Sequence, residues 1–328
     1  MRNRSQSRLA PGIHGPRTGL IVGWLVAGLI LAAAMLPLLP ATELSTVPPV
    51  AQPEPADSCR TLPAFTMKPE LGLAGGLALA TDRAQRGLVV LSPDRPNTPY
   101  QHPSWDDAGY LGPIAYDRDG HIYAAPTPRL SLVDNPLEGA TTLWRVDSAS
   151  GVMAPFVALP GVASMRNPYA ILGLSYACAL HRLYAGTVIG STPTAERGGV
   201  VAIDLMSGQI SSLLEATDVM GLLVVRMGSG YALYIGLARS PELLLLPLDS
   251  LGQPTGPLRP LLDLTTAGAT ASERARKLRL VNGELTVDLV PFNYSLQTSA
   301  AAMPKRVAAW RYDASGGAWV VSRPAASP

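Results

Sequence analysis

The sequence predicts an all-β protein, a β-propeller preceded by one N-terminal transmembrane helix. Five four-stranded blades can be counted, and a total of six is the alternative. Three observations carry this prediction. One uncharged apolar stretch lies near the N-terminus. Short strand-like runs, rich in Val, Leu, Ile and Tyr, repeat along the rest of the chain. From about residue 62 onward, no stretch keeps the 3.6-residue apolar period of a helix.

The apolar stretch covers residues 19–39 and contains no charged side chain. At a rise of about 1.5 Å per residue it spans about 31 Å, which matches a bilayer core of about 30 Å. Four arginines precede it, and the first acidic residue is Glu43. The positive-inside rule therefore predicts a cytoplasmic basic tail over 1–18, a membrane helix over 19–41 and an extracytoplasmic remainder. The alternative is a cleaved signal peptide, whose apolar region would be only about 7–15 residues long.

Prolines mark the segment that follows the helix. Residues 42–61 contain Pro48, Pro49, Pro53 and Pro55, and this composition predicts a semi-extended linker. The propeller is then expected over 62–323, with a short tail over 324–328. Four of the 26 basic residues precede the helix, which leaves 22 against 24 acidic residues in the exported part. No basic stripe with interleaved aromatic residues occurs, so nucleic acid is not an expected partner.

Four hairpins of similar sequence repeat along the chain, and a fifth is indicated by GGLALA at 75–80. Tyr123, Tyr184 and Tyr234 occupy equivalent positions in the second strand of three of them. In the fourth, Asn282 and Gly283 form the turn, which is the strongest short hairpin signal. The four hairpins are IAYDRDGHIYAA (114–125), LSYACALHRLYAG (174–186), VVRMGSGYALYIG (224–236) and LRLVNGELTV (278–287).

Each of these hairpins is followed by a second one with an aspartate in its turn. The spacings between successive turn aspartates are 53, 57, 45 and 64 residues. Two hairpins make four antiparallel strands, and a period of about 40–55 residues is typical of a propeller blade. The turn aspartates are Asp94, Asp147, Asp204, Asp249 and Asp313.

The stretch Asp117-Arg118-Asp119-Gly120 resembles part of a calcium loop. A calcium loop needs more oxygen ligands and ends in a glutamate, and that pattern is missing here. Asp and Gly are ordinary turn formers, and the repeat places this stretch between two strands. It is therefore predicted to be a turn.

The hairpin G-x-x-A-Y-D-x-D-G-x-I-Y-A, ending at Ala124, resembles the inner hairpin of NHL-type and gluconolactonase-like propellers. The V-x-x-I-D-x-x-S-G hairpins resemble the outer strands of the same group and of quinoprotein-like propellers. The resemblance covers about residues 62–322. It implies the propeller architecture, and in gluconolactonase-like enzymes it implies one divalent metal held by Glu, Asn and Asp side chains from different blades.

Long loops are predicted to gather at one end of the propeller, and this end is the expected binding face. Asp107, Asn167, Asp218 and Glu273 precede inner strands and should line the channel mouth there, with Arg166 as a counter-charge. Asp107, Asn167 and Asp218 are the candidate ligands of a divalent cation such as calcium. No other cofactor is expected. The loops concerned are 126–139, 188–197 and 290–304 within blades, and 102–111, 160–169, 215–220 and 265–276 between blades.

The two cysteines, Cys59 and Cys178, leave two interpretations open. Two cysteines in an exported domain are typical of a disulfide. However, Cys178 is predicted in a turn on one face, whereas Cys59 should emerge on the other. A bridge would require the linker to fold underneath the domain, because the Cα atoms of a disulfide lie within about 7 Å.

These patterns favour a membrane-anchored extracytoplasmic propeller that acts as a ligand- or protein-binding module. One alternative is a metal-dependent, lactonase-like hydrolase that uses the channel-mouth oxygens. Another is an accessory subunit of a membrane complex, docked through residues 19–41. The expected partners are the membrane and an unidentified protein or small molecule on the long-loop face.

Overall fold

The computed structural model describes residues 51–68, 78–81, 86–92, 95–129, 132–296 and 305–326. Twenty strands occur in these ranges, together with four short 3-10 helices at Ala64–Met67, Pro103–Ala108, Leu137–Gly139 and Leu264–Ala267. The strands are β1 (Glu54–Pro55), β2 (Ala78–Ala80), β3 (Val89–Ser92), β4 (Arg95–Tyr100), β5 (Leu111–Tyr116), β6 (Ile122–Pro126), β7 (Thr142–Val146), β8 (Met153–Ala158), β9 (Ile171–Ala177), β10 (Arg182–Thr187), β11 (Gly199–Asp204), β12 (Ile210–Glu215), β13 (Val219–Met227), β14 (Gly230–Leu237), β15 (Glu242–Leu248), β16 (Arg259–Asp263), β17 (Glu273–Val281), β18 (Glu284–Pro291), β19 (Arg306–Asp313) and β20 (Ala318–Arg323).

The strands form five antiparallel sheets, and each sheet is one blade of a β-propeller. Blade two is β5–β8, blade three is β9–β12, blade four is β13–β16 and blade five is β17–β20. In blade one the described residues contribute three strands, β2–β4. The predicted five-bladed propeller with four-stranded blades is thus confirmed.

The repeated tyrosines hold the positions that the sequence predicted. Tyr123, Tyr184 and Tyr234 lie on β6, β10 and β14, the second strands of their blades, and all three are buried. Their partners on the first strands are Ala115, Ser175 and Leu223. The blades pack face to face through such side chains, because one sheet alone would expose both of its faces.

The hairpin turn of blade five also forms as predicted. Asn282 and Gly283 have φ angles of 51° and 74°, and the strands on either side end and begin next to them. Positive φ at both central residues defines the type I′ turn, whose twist matches that of the flanking strands. The fourth repeat is therefore a hairpin of the same kind as the others.

Asp117-Arg118-Asp119-Gly120 is the turn between β5 and β6, as predicted. The Asp117 carboxylate is buried and accepts hydrogen bonds from the backbone N–H groups of Asp119 and His121, each at 2.9 Å. Its second oxygen accepts one from the Tyr123 hydroxyl at 3.1 Å. The aspartate holds the turn together and ties it to the blade core.

Residues 51–67, here called the strap, cross the end of the propeller that carries the hairpin turns, here called the turn face. β1 pairs with β13 on the channel side of blade four. The Ala56 carbonyl then accepts a hydrogen bond from Cys178 N at 2.9 Å in blade three. Further on, Thr61 N donates to the Asp117 carbonyl at 3.3 Å and Phe65 N donates to the Ser148 carbonyl at 2.8 Å, both in blade two.

Cys59 and Cys178 form a disulfide, with their Cα atoms 5.8 Å apart. The expectation that they lie on opposite faces is wrong. The strap carries Cys59 underneath the domain to the β9–β10 turn, so both cysteines lie on the turn face. Residues 51–61 of the predicted linker therefore lie against the propeller.

The predicted cytoplasmic tail, membrane helix and first part of the linker fall on residues 1–50, outside the described part of the chain. Among the residues that the structure describes, none belongs to a helix long and apolar enough to cross a bilayer.

Candidate functional site

The longer loops gather at the end of the propeller opposite the turns, here called the loop face. Within blades, the second and third strands are joined by residues 127–141, 188–198, 238–241 and 292–305. Between blades the connections are 101–110, 159–170, 216–218 and 264–272. These ranges agree with the predicted loops to within a few residues, except that the short connection 238–241 was not predicted.

Asp218 is the most highly connected of the predicted site residues, and it is fully buried. Oδ1 accepts hydrogen bonds from the Ser191 hydroxyl and from Gly198 N, the latter at 2.9 Å. Oδ2 accepts one from the Tyr294 hydroxyl and one from Arg239 Nε at 2.9 Å. The carboxylate thus joins the within-blade loops of blades three, four and five.

Arg239 balances the charge of Asp218. Its Nη2 lies 2.8 Å from Asp218 Oδ2 and donates to the carbonyls of Thr192 and Ala195, each at 2.8 Å. The guanidinium also stacks over the Tyr294 ring, 5.1 Å from its centroid. Burial, followed by the hydrogen bond to Asp218, raises the pKa of the Tyr294 hydroxyl, so the tyrosine stays neutral and donates its proton.

Asn167 is also buried, and its amide is used by the protein backbone. Nδ2 donates to the Val188 carbonyl at 2.7 Å and Oδ1 accepts from Tyr169 N at 3.1 Å. Asn167 therefore fixes the start of β9 against the loop that follows β10. Asp107 and Arg166 differ from it, because both are exposed on the surface.

Glu273, at the start of β17, is buried in an ion pair within blade five. Its Oε2 lies 2.7 Å from Arg306 Nη1 and accepts a hydrogen bond from Thr270 N at 2.7 Å. Arg306 also donates to the Gly268 and Ala326 carbonyls, at 2.9 and 2.7 Å. This arrangement ties the start of the inner strand to β19 and to the C-terminal segment.

Asp218, Asn167 and Glu273 each accept hydrogen bonds from protein groups, and they do so in three separate networks. In the described ranges, no group of three or more His, Cys, Asp or Glu side chains is arranged to hold a metal ion. The predicted cation at Asp107, Asn167 and Asp218 stays a prediction.

An aromatic bridge crosses the inner part of the loop face. Phe292, from the loop after β18, packs edge-on against Tyr169 and Tyr294, with ring centroids 5.5 and 5.3 Å apart. Tyr169 begins blade three, whereas the other two rings belong to blade five. The bridge therefore links two blades that are not neighbours in the sequence, and Leu172 and Met220 pack against it.

The central channel contains a cavity of about 540 Å³. Residues of all five blades line it, for example Leu79 on β2 and the inner-strand residues Ile114, Leu174, Leu222 and Leu278. At the turn face its lining residues include Pro55, Asp57 and Arg60 of the strap. At the loop face they include Arg129, Phe292 and Lys305. The strap thus covers part of the turn-face end of the cavity.

Six basic and two acidic residues are among those that line this cavity, so the formal charges of the described lining residues sum to +4. This concentration of charge was not predicted from the sequence. The signal was present in the fourth repeat, where Arg276, Lys277 and Arg279 stand at positions that are apolar, glycine or serine in blades three and four. The basic residues are Arg60, Arg129, Arg276, Lys277, Arg279 and Lys305, and the carboxylates belong to Asp57 and Asp288.

Three ion pairs lie within the wall. The Asp288 carboxylate is buried between Arg279 and Lys305, with Lys305 Nζ 3.3 Å from Oδ2 and Arg279 Nη1 3.3 Å from the same oxygen. Arg60 pairs with Asp57 at 3.1 Å in the strap. Burial raises the pKa of Tyr116 to about 12, although Arg60 opposes this shift, so its hydroxyl is neutral in the cavity wall.

No protein-family model matches the chain, and no curated protein matches it in sequence. Several solved structures are similar in fold. A xyloglucanase from Xanthomonas campestris is 12% identical at a TM-score of 0.47, with 77% of this chain and 36% of that chain covered. An endo-arabinase from Bacteroides thetaiotaomicron is 13% identical at a TM-score of 0.40, with 67% of this chain and 81% of that chain covered. The tricorn protease is 12% identical at a TM-score of 0.42, with 76% of this chain and 26% of that chain covered. The chain thus spans about a third of the xyloglucanase and about a quarter of the tricorn protease.

Proposed function

We propose that this protein is a binding module that takes a small-molecule ligand into the central channel of its propeller from the loop face. The observation that carries the proposal is the cavity of about 540 Å³ lined by residues of all five blades. Small-molecule sites in proteins have volumes of about 300–1,000 Å³. The strap residues at the turn face restrict passage through the channel, which favours a compact ligand over a threaded polymer.

The binding role is favoured over the metal-dependent hydrolase by the contacts of the predicted metal ligands. Asp218 accepts hydrogen bonds on both oxygens from four protein groups, and the Asn167 oxygen accepts one from Tyr169 N. A cation at these oxygens would have to displace several of these donors. The proposal also includes a relationship to NHL-type or gluconolactonase-like propellers, anchoring through residues 19–41 and an extracytoplasmic location. A role as an accessory subunit is proposed as an alternative.

Blocking the channel tests this function. Ala80, on the channel wall of blade one, is replaced with Trp, and the exposed Leu251 on the turn face is replaced with Trp as a control of equal bulk. Thermal melting of the full chain is followed with a panel of small organic acids, sugars and amines. Ligands should raise the melting temperature of the wild type and of Leu251→Trp but not of Ala80→Trp. Equal shifts in all three proteins would place binding outside the channel.

A further inference from the structure

The charged residues of the channel wall are concentrated on blade five. Because the blades are repeats, equivalent positions in the other blades show which residues stand there without these charges. The first strands of blades two to five each contain a register shift near their loop-face end. The shifts lie between Leu111 and Ile114 in β5, between Val219 and Gly221 in β13, between Ala275 and Lys277 in β17, and in β9 across from Gly186 and Thr187 of β10. Such β-bulges insert one extra residue and re-aim the side chains beside it. Equivalent positions can therefore be compared blade by blade.

At the bulge position, blades three and four carry Leu172 and Met220, whereas blade five carries Arg276. At the next position, blades three and four carry Gly173 and Gly221, whereas blade five carries Lys277. The residue opposite Lys277 is Asp288.

The same contrast appears further along the strands. Gly186 and Gly236 are the counterparts of Asp288 in blades three and four. Arg279 corresponds to Ser175 and Leu223. The blade architecture forms with apolar or small residues at these places, so the fold itself does not require the charges of blade five.

The cationic wall lies at the part of the cavity nearest the loop face. Arg276, Lys277 and Lys305 line the cavity together with Phe292, and Arg129 of blade two lines it close to the loop face. Lys277 is exposed and Arg276 is half-exposed, and both line the cavity. Of the two acidic residues among the described lining residues, Asp288 is the buried one, and it lies between Arg279 and Lys305. Over the residues that the structure describes, the formal charges of the wall sum to +4.

We propose that the channel binds a small organic oxyanion, a carboxylate or a phosphate ester, with Arg276 and Lys277 of the blade-five wall as its principal contacts and Arg129 facing them from blade two. This inference rests on the proposed function and adds the chemical class of the ligand. Guanidinium groups recognise carboxylate and phosphate through paired hydrogen bonds, and a lysine adds a point charge. A cleft lined by one sign of charge also concentrates ligands of the opposite sign. The apolar residues of the same cavity, such as Leu174 and Leu222, would contact the carbon skeleton.

The repeat supplies variants that should keep the fold. Arg276→Met places in blade five the residue that blade four has at the equivalent position, and Lys277→Gly places there the residue of blades three and four. Arg323→Met, on the exposed outer strand of the same blade, removes one positive charge outside the channel and serves as the matched control. Melting temperatures of the three variants report whether the fold is retained.

Binding is measured by calorimetry on the full chain at low salt with citrate, inorganic phosphate, glycerol phosphate, sorbitol and spermidine. Citrate or one of the two phosphates should bind, whereas sorbitol and spermidine should not. The relative affinities of the citrate and phosphate arms assign the anion to carboxylates or to phosphates. Arg276→Met and Lys277→Gly should each weaken binding by about tenfold or more, which corresponds to one lost hydrogen bond to a charged group. Arg323→Met should bind like the wild type, and binding should weaken as salt is raised.

Anion binding that is the same in Arg276→Met, Lys277→Gly and wild type would overturn the inference, as would the absence of binding by citrate and both phosphates. The proposed function fails in a different way. A neutral or cationic compound whose binding is lost in Ala80→Trp but kept in Arg276→Met would contradict the oxyanion and retain the channel as the site. Ligands that bind Ala80→Trp as well as the wild type would contradict the channel itself.

Discussion

The disulfide between Cys59 and Cys178 joins the strap to the β9–β10 turn across 119 residues of sequence. The backbone reinforces this link on both sides, because Cys178 N donates to the Ala56 carbonyl at 2.9 Å and Thr61 N donates to the Asp117 carbonyl at 3.3 Å. The disulfide therefore closes a covalent loop that contains all of blade one and blade two. It also keeps Pro55 and Asp57 in place at the turn end of the channel.

Replacing both cysteines with serine should lower the free energy of unfolding by about 4–5 kcal/mol, since the open chain gains the entropy of a loop of about 119 residues. Denaturant unfolding of the full chain measures this change. A decrease of less than about 1 kcal/mol would contradict the expectation that the disulfide stabilises the fold. Hydrogen exchange supplies a second measurement, in which the backbone amides of Thr61 and Phe65 should lose protection in the variant.

Tyr184 should be among the side chains on which the stability of the fold depends most. It is fully buried in the cluster shared by blades three and four, so Tyr184→Ala is expected to cost about 3–5 kcal/mol. Tyr231→Ala, at a half-buried position on β14, is the control and should cost clearly less. Equal losses in chemical denaturation would show that burial between the blades is not the cause.

The repeat was predictable because its signals are local. Alternating apolar residues and turn residues such as Asn282-Gly283 depend on neighbours in sequence, and they located the strands and the second-strand tyrosines correctly. The position of the strap depends on distant partners instead. The prolines indicated a stiff segment, but not that β1 would pair with the inner edge of β13 or that Cys59 would reach Cys178.

The candidate site shows the same limit. A polar residue before an inner strand was recognisable, but whether it faces solvent or is buried depends on the loops of other blades. Asp218 is buried because Ser191, Arg239 and Tyr294 reach it from three blades, whereas Asp107 lies on the surface. The charged wall was missed for a physical reason as well: the bulge at Arg276 adds one residue to β17 and interrupts the two-residue alternation that identifies a strand.

The N-terminal segment is expected to remain on the mature protein. The uncharged run over 19–39 is longer than the apolar region of a signal peptide, and its preceding arginines favour retention as an anchor. Sequencing the N-terminus of protein extracted from membranes tests this. A mature protein that begins between residues 34 and 45 would mean that the segment is a cleaved signal.

Stability should fall in acid because of the aspartates in the outer turns. Hydrogen bonds from the Ser150 and Ser207 backbone N–H groups, followed by bonds from their hydroxyls, lower the pKa of Asp147 and Asp204 below 3.8. A carboxyl whose pKa is lower in the folded state stabilises the fold above its unfolded pKa, and this contribution is lost as the pH falls through the folded value. The free energy of unfolding should therefore decrease as the pH falls from about 5 to below 3.8.

Asp147→Asn and Asp204→Asn should each make this decrease smaller, because an amide does not titrate. Denaturant unfolding at a series of pH values measures the slope, and Asp107→Asn, an exposed carboxylate outside these turns, is the control. An unchanged slope in the double variant Asp147→Asn/Asp204→Asn would assign the acid sensitivity to other groups.

Asp218 is expected to have a large effect on stability as the centre of the loop-face network. Asp218→Ala leaves the Arg239 guanidinium without its 2.8 Å carboxylate partner and removes the acceptor of the Ser191 and Tyr294 hydroxyls, so a loss of about 3–5 kcal/mol is expected. Tyr294→Phe removes only one hydrogen bond to a charged group and should cost about 1.5–3 kcal/mol. The double variant should cost less than the sum of the two, because both changes break the same contact.

Asp107→Ala should alter stability by less than about 0.5 kcal/mol, since its side chain is exposed. If Asp218→Ala unfolds at the same denaturant concentration as Asp107→Ala, the network does not hold the three loops together, and Asp218 would regain its place as a candidate ligand for a cation.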